Sequence, residues 1–274
     1  MNEYSLFTNL KDYAVTECQK ISDNDMVIVM AGFFPHSLKS SNHTQTFSAP
    51  YIQIQLDSGA QGICFVYGEK LNQTEIIQLV GKDVRQVVND VSSHLQIALV
   101  DAMFGTLNKT HPTSKLLLLD GNYREKSLER AQIIASHVQA RDGDAVGVIG
   151  CVENIVEQLK QKDCELRLAD LHTSSETICG INVERDAKPI LDWASHLLVT
   201  GNVIATRTLD LILKKTYERK IKTVFYAMTG ANIAPIYLNY GAQTVISEYF
   251  PYYWFSKSTT SMLIHSETLY TAIS

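Results

Sequence analysis

A chain of 274 residues with 45% hydrophobic and 19% charged residues is long enough to bury one large core or two modest ones without disulfide or metal staples, and its composition excludes a disordered chain. The net charge of −5 and a pI near 5.9 exclude the clustered basic surface that phosphate backbones require, so nucleic acid is not an expected partner. No apolar run approaches the roughly 20 residues of a membrane span, the first residues show no secretory leader pattern, and five cysteines without a CxxC pair read as reduced thiols. These features together predict a cytoplasmic protein.

Apolar residues at Leu6, Leu10, Tyr13, Ala14 and Cys18 recur every three to four positions and predict an amphipathic helix over 6–21. Strand-like runs follow at 26–31, 51–56 and 62–67. The second, Tyr51-Ile-Gln-Ile-Gln-Leu56, alternates apolar and polar residues, as in a sheet with one wetted face. Asp57-Ser-Gly59 supplies a tight turn, so the last two runs should pair antiparallel. Helices are expected over 74–79, with Thr74 as N-cap, and over 84–91 and 93–107, which makes this region an α+β unit. His111-Pro112-Thr113-Ser114 then interrupts the pattern, because proline removes a donor and restricts its predecessor. The expected domains are 1–112 and 113–274.

Beyond the junction, an apolar run at 116–119 and a helix over 125–139 precede a regular alternation. Strands are expected at 145–149, 164–168, 196–199, 223–227 and 243–246, with helices at 153–161, 187–194, 208–215 and 234–240 between them. Strands separated by helices of this length imply right-handed crossovers and a parallel sheet covered on both faces. Ligands of such sheets sit beyond the carboxyl ends of the strands.

Three strand-end turns carry small or hydrogen-bonding residues. Gly147-x-x-Gly150 ends a strand and precedes a helix, where bare amides and the positive helix end favour an anion. Asp170 ends the next strand about 20 residues on, the place from which an acidic side chain reaches a ribose in dinucleotide-binding folds. Val152 stands where a third glycine is expected, and glycines that only permit a tight turn account for the same pattern. Thr200-Gly201-Asn202, with Thr208 as a capping hydroxyl, and Thr229-Gly230-Ala231-Asn232 follow two further strands. The candidate ligand residues are therefore Gly147, Gly150, Asp170, Thr200, Gly201, Asn202, Thr208, Thr229, Gly230 and Asn232. Asp170 and His172 form a candidate metal pair without HExxH or CxxC spacing. No GxSxG elbow and no P-loop occurs, which removes serine-hydrolase and NTPase readings. The aromatic run Tyr249–Phe255 suits core, pocket or homo-oligomer contact.

The stretches Asp144-Ala-Val-Gly-Val-Ile-Gly150, Asp170, Leu198-Val-Thr-Gly-Asn202, Thr208-Leu-Asp-x-Ile-Leu213 and 230–241 resemble the heavy-metal chelation family DUF364. Leu95-Gln-Ile-Ala-Leu-Val-Asp-Ala102 and the strand-strand-strand-helix order resemble its companion domain DUF4213. The resemblance implies a C-terminal Rossmann-like α/β domain with a smaller, enolase-N-terminal-like α+β domain, and a ligand in the cleft between them. It implies a small-ligand-binding protein or enzyme of metal or metal-chelator metabolism, taking a small anionic metabolite, a divalent metal or a metal chelate. Met228-Thr229 and 203–207 depart from the family's usual pattern. The alternative is a nucleotide-cofactor enzyme, either an S-adenosylmethionine-dependent transferase or an NAD-dependent metallophore dehydrogenase. No acid and base pair declares itself, so the residues do not decide whether the protein is an enzyme.

Overall fold

The computed structural model describes residues 6–35, 37–39, 46–67, 71–108, 114–173, 175–249 and 259–266. The chain divides into two compact units, Met1–His111 with Met228–Ile233, and Pro112–Ala227 with Ala234–Ser274. The six residues 228–233, counted with the second region in the sequence reading, belong to the first unit.

In the first unit the order is α1 (Leu6–Cys18), β1 (Ile28–Phe34), β2 (Ser37–Lys39), β3 (Thr46–Ser48), β4 (Tyr51–Leu56), β5 (Gln61–Phe65), α2 (Gln73–Ile77), α3 (Val84–Val87) and α4 (Ser93–Leu107). Strands β1, β4 and β5 form an antiparallel sheet in that order, and β2 pairs with β3. The expected turn closes the β4–β5 hairpin, with the Gly59 amide bonded to the Leu56 carbonyl at 2.9 Å. Helix α4 buries Leu95, Ile97, Ala98, Leu99, Val100, Ala102, Met103 and Phe104. A helix apolar on every side is a central one.

Two expectations fail in this unit. The polar positions of β4 are not evenly wetted: Gln53 is fully buried, with its amide donating to Gln61 Oε1 at 3.3 Å, while Gln55 is half-buried. Thr74 is not the cap of α2; the helix starts at Gln73, one residue earlier than expected, and the Asn72 side chain caps it by accepting from the Thr74 amide.

The second unit runs β6 (Lys115–Leu119), α5 (Tyr123–His137), β7 (Ala145–Ile149), α6 (Glu153–Lys160), β8 (Glu165–Ala169), β9 (Thr177–Ile178), β10 (Ile181–Glu184), α7 (Lys188–Trp193), β11 (His196–Thr200), α8 (Leu209–Arg219), β12 (Lys222–Ala227), β13 (Thr244–Glu248) and β14 (Thr260–His265). The strand order is β6-β14-β13-β12-β11-β7-β8-β10-β9. Strands β13, β12, β11, β7 and β8 are mutually parallel, as expected, and β10, in a stretch expected to be a connection, joins them in parallel. Strands β14 and β9 are antiparallel additions that the sequence pattern did not announce. Residues 234–240 form a 3-10 helix rather than an α-helix, with Pro235 removing one of its amide donors.

Alternation along the strands assigns the two sheet faces. Val146, Val148, Leu198, Val224, Tyr226, Ile246 and Met262 share one core with Ala131, Ile134 and Ala135 of α5 and with Ile155, Val156 and Leu159 of α6. Gly147 points the other way: a Cβ there would stand 2.4 Å from Ile190 of α7 and 2.8 Å from Leu197. A capping box starts α5, in which Asn122 accepts from the Arg124 and Glu125 amides and Glu125 accepts from the Asn122 amide. After β7 the chain adds β8 on one side and later β11 on the other, which makes the β7/β11 junction the topological switch of the sheet.

Candidate functional site at the strand ends of the second unit

The switch point is built from two turns in contact. Gly150 sits at φ 78°, where glycine avoids the strain of a side chain. Its amide donates to the Ala169 carbonyl at 2.8 Å. A Cβ on Gly150 would fall 1.9 Å from Thr200 Oγ1. The buried Thr200 hydroxyl in turn reaches the Ile149 carbonyl at 3.5 Å. Gly201 and Asn202 continue into a short 3-10 turn, Gly201–Val203, with the Asn202 carbonyl accepting from the Thr206 amide. Gly150, Thr200, Gly201 and Asn202 are thus brought together.

Asp170 organises the neighbouring turn. Its Oδ2 accepts from the Cys151 amide at 2.8 Å, and Oδ1 accepts from the His172 and Thr173 amides, both at 2.9 Å. Arg185 Nη1 donates to the Asp170 carbonyl at 3.0 Å and also to the Thr173 carbonyl. This carboxylate spends its acceptors on three backbone donors of its own unit. Burial pushes the Cys151 thiol far up, reinforced by the charges of Asp170 and Cys179, so it lacks the thiolate character of a nucleophile.

The other expected residues lie apart from this pair of turns. Gly147 is a packing glycine inside β7, as its neighbours Ile190 and Leu197 show. Thr208 precedes α8 without a side-chain cap bond; its backbone is already helical, at φ −96° and ψ −6°, and its hydroxyl pairs with Thr206 Oγ1 at 2.9 Å. Thr229, Gly230 and Asn232 are bound within the first unit. Thr229 Oγ1 accepts from the Phe65 amide at 3.0 Å, the Gly230 amide donates to the Ile63 carbonyl at 3.1 Å, and Asn232 Nδ2 donates to the Gln61 carbonyl at 2.7 Å. The buried Asp101 accepts from the Asn232 amide at 2.8 Å, the Ile233 amide at 3.3 Å and the Ile63 amide at 3.0 Å. Burial pushes its carboxyl up to about 7, against the lowering effect of those three amides. Among the described residues no group of three or more His, Cys, Asp or Glu is arranged to hold a metal ion. Of the expected metal pair, His172 offers Asp170 its backbone amide.

A polar set that the sequence reading did not name occupies the same strand ends, on the α5/α6 face. Glu248, the last residue of β13, is fully buried. Its Oε2 accepts from the Tyr226 hydroxyl at 2.5 Å and faces Arg130 Nη1 at 3.5 Å. Arg130 Nη2 donates to Ser127 Oγ at 3.2 Å, and Asn154 Nδ2, on the first turn of α6, donates to the same oxygen at 2.9 Å. Lys126 is also buried on α5. Two buried acceptors of this set, Glu248 Oε1 and Asn154 Oδ1, have no hydrogen-bond partner among the described residues. An unmet carboxylate oxygen in an apolar face is costly, and such cost concentrates at functional sites. The signal in the sequence was parity: Glu248 stands two residues after Ile246, on the face that the core occupies.

Residues 132–246 match the sequence model of the family DUF364, described as “Putative heavy-metal chelation”. Two solved DUF364 proteins of unknown function have the same fold. The one from Desulfitobacterium hafniense is 14% identical, with 88% of this chain and 85% of that one covered at a TM-score of 0.58. The one from Pyrococcus horikoshii is 12% identical, with 94% and 98% covered at a TM-score of 0.60. No curated protein matches the sequence. The DUF364 match takes in Asn154 and Tyr226 but ends two residues before Glu248 and starts after Ser127 and Arg130. No helix among the described residues is long and apolar enough to cross a membrane.

Proposed function

We propose that the DUF364 unit binds a small anionic metabolite or metal chelator of metal metabolism at the carboxyl ends of its parallel strands, beside the buried set Arg130, Glu248, Tyr226, Ser127 and Asn154. The observation that carries this reading is the pair of unmet buried acceptors at the place where open α/β sheets hold their ligands. The Arg130 guanidinium in the set favours an anionic portion in the ligand. The commitment of Asp170 to three amides weighs against a ribose anchor there, and so against the nucleotide-cofactor alternative.

In this reading Tyr226 and Arg130 hold one oxygen of Glu248 and aim the other, while Ser127 couples Arg130 to Asn154. A site assembled from α5, the first turn of α6 and two strand ends is preorganised before a ligand arrives. The test is native mass spectrometry of the purified protein, with thermal-shift scans against divalent metals, metal chelates, anionic metabolites and nucleotides. A ligand at a hundredfold excess over Kd stabilises the folded protein by about 2.7 kcal/mol. A retained or stabilising metal chelate or anionic metabolite is expected. A retained nucleotide, or no response to any member of the series, would sink the reading.

A further inference from the structure

Glu248 is fully buried at the carboxyl end of β13, and its two oxygens have different surroundings. Oε2 is held by the Tyr226 hydroxyl and faced by the Arg130 guanidinium, whereas Oε1 meets no donor. Asn154 gives its Nδ2 to Ser127 and leaves Oδ1 unmet. Ser127 and Arg130 join the two side chains into one chain of hydrogen bonds, so both open positions belong to the same polar set. Both are acceptors, and acceptors are completed only by donors or by a cation.

A bare divalent ion is a poor fit, because Arg130 already places positive charge against the same carboxylate and only two oxygens are open, fewer than the six to eight ligands hard cations take. A nitrogen bearing several N–H bonds suits acceptors of this kind, since it donates to carboxylate and to amide oxygens alike. Resting on the function proposed above, we infer that Glu248 and Asn154 recognise an amino group of the ligand, and that the ligand is an amino-carboxylate whose acidic end faces the basic member of the set, Arg130. Any metal it carries arrives already chelated.

Isothermal titration of the full chain with L-aspartate and with succinate isolates that amino group, because the two probes differ only there. Aspartate is expected to bind about tenfold tighter or more, the scale of one charge-assisted hydrogen bond. Glu248→Gln places an amide N–H where the ligand's own N–H would point, so the preference is expected to vanish or reverse. Asn154→Leu, a change on a half-buried helix position, is expected to weaken aspartate severalfold more than succinate, and it covers the case in which the Glu248 variant fails to fold. Equal affinity for the two probes, or a preference that survives both substitutions, overturns the amino-group assignment and leaves the small-ligand reading standing. Binding of neither probe overturns the assignment as well; the small-ligand reading fails with it only if native mass spectrometry and the thermal-shift series are also blank.

Discussion

Asp101 in the first unit and Glu248 in the second are both buried carboxylates, yet their surroundings are opposites. Asp101 receives three backbone amides, from Ile63, Asn232 and Ile233, and these tie α4, β5 and the segment 228–233 into one body. Glu248 receives a hydroxyl and a guanidinium on one oxygen and nothing on the other. A carboxylate met by main-chain donors is a fastener, because main chain cannot rearrange without unfolding. One met by side chains and left half open can accept something new. The contrast separates a carboxylate spent on stability from one held in reserve.

The sharpest way to break the contrast is Asp101→Ala. Three buried amides lose their acceptor, and a loss of about 3–5 kcal/mol in urea unfolding is expected. A loss below about 1 kcal/mol would show that Asp101 is not a fastener. Its proton gives a second measure. The folded carboxyl sits near 7, above the unfolded value of about 3.9, so the folded state binds the proton more tightly. The stability from this group is therefore full below about pH 4 and is lost as pH rises through 7, by at most about 1.4 kcal/mol per pH unit. Denaturation midpoints between pH 4 and 8 should show this slope, and Asp101→Asn should flatten it.

Gly150→Ala meets both a left-handed φ and the Thr200 hydroxyl, for an expected cost of about 2–3 kcal/mol. The double variant with Thr200→Ala should recover about half of it, whereas strict additivity would show that the two turns do not press on each other. The smallest effect is expected at the reserved carboxylate. Glu248→Gln keeps an acceptor for Tyr226 and Arg130 while removing a half-met charge, so unfolding free energy should change by less than about 1 kcal/mol in ligand-free protein. A loss as large as that at Asp101 would make the two carboxylates equivalent.

Much of the architecture was legible because it is local. Strand β7 and helix α4 follow the expected limits, since an unbroken apolar run between turn residues and an alanine- and leucine-rich stretch each admit one regular structure. Strands β9 and β14 escaped because two residues, or a run crowded by hydroxyls, show no period on their own and are fixed only by pairing with Ile181–Glu184, β13 and β6. The Gly150 and Asp170 turn was visible because glycine and aspartate announce special backbone. The Glu248 set was not, because Arg130 stands 118 residues away and its meeting with Glu248 depends on how a whole sheet is ordered. Thr229, Gly230 and Asn232 were visible as a polar turn after a strand; that they serve the first unit is a fact of long-range contact. The expected aromatic cluster lies outside the described residues from Phe250 onward.

The membership of residues 228–233 in the first unit sets an order on the chain's birth at the ribosome. The first hundred residues emerge long before Asn232 and Ile233, so Asp101 waits through the synthesis of more than a hundred further positions with only the Ile63 amide to meet it. The first unit is thus completed by a segment made more than a hundred residues after the rest of it. Cutting the gene at the apparent boundary near residue 111 would yield a fragment missing two of the three donors for its most buried acid, and neither half is a module that evolution could trade by simple fusion.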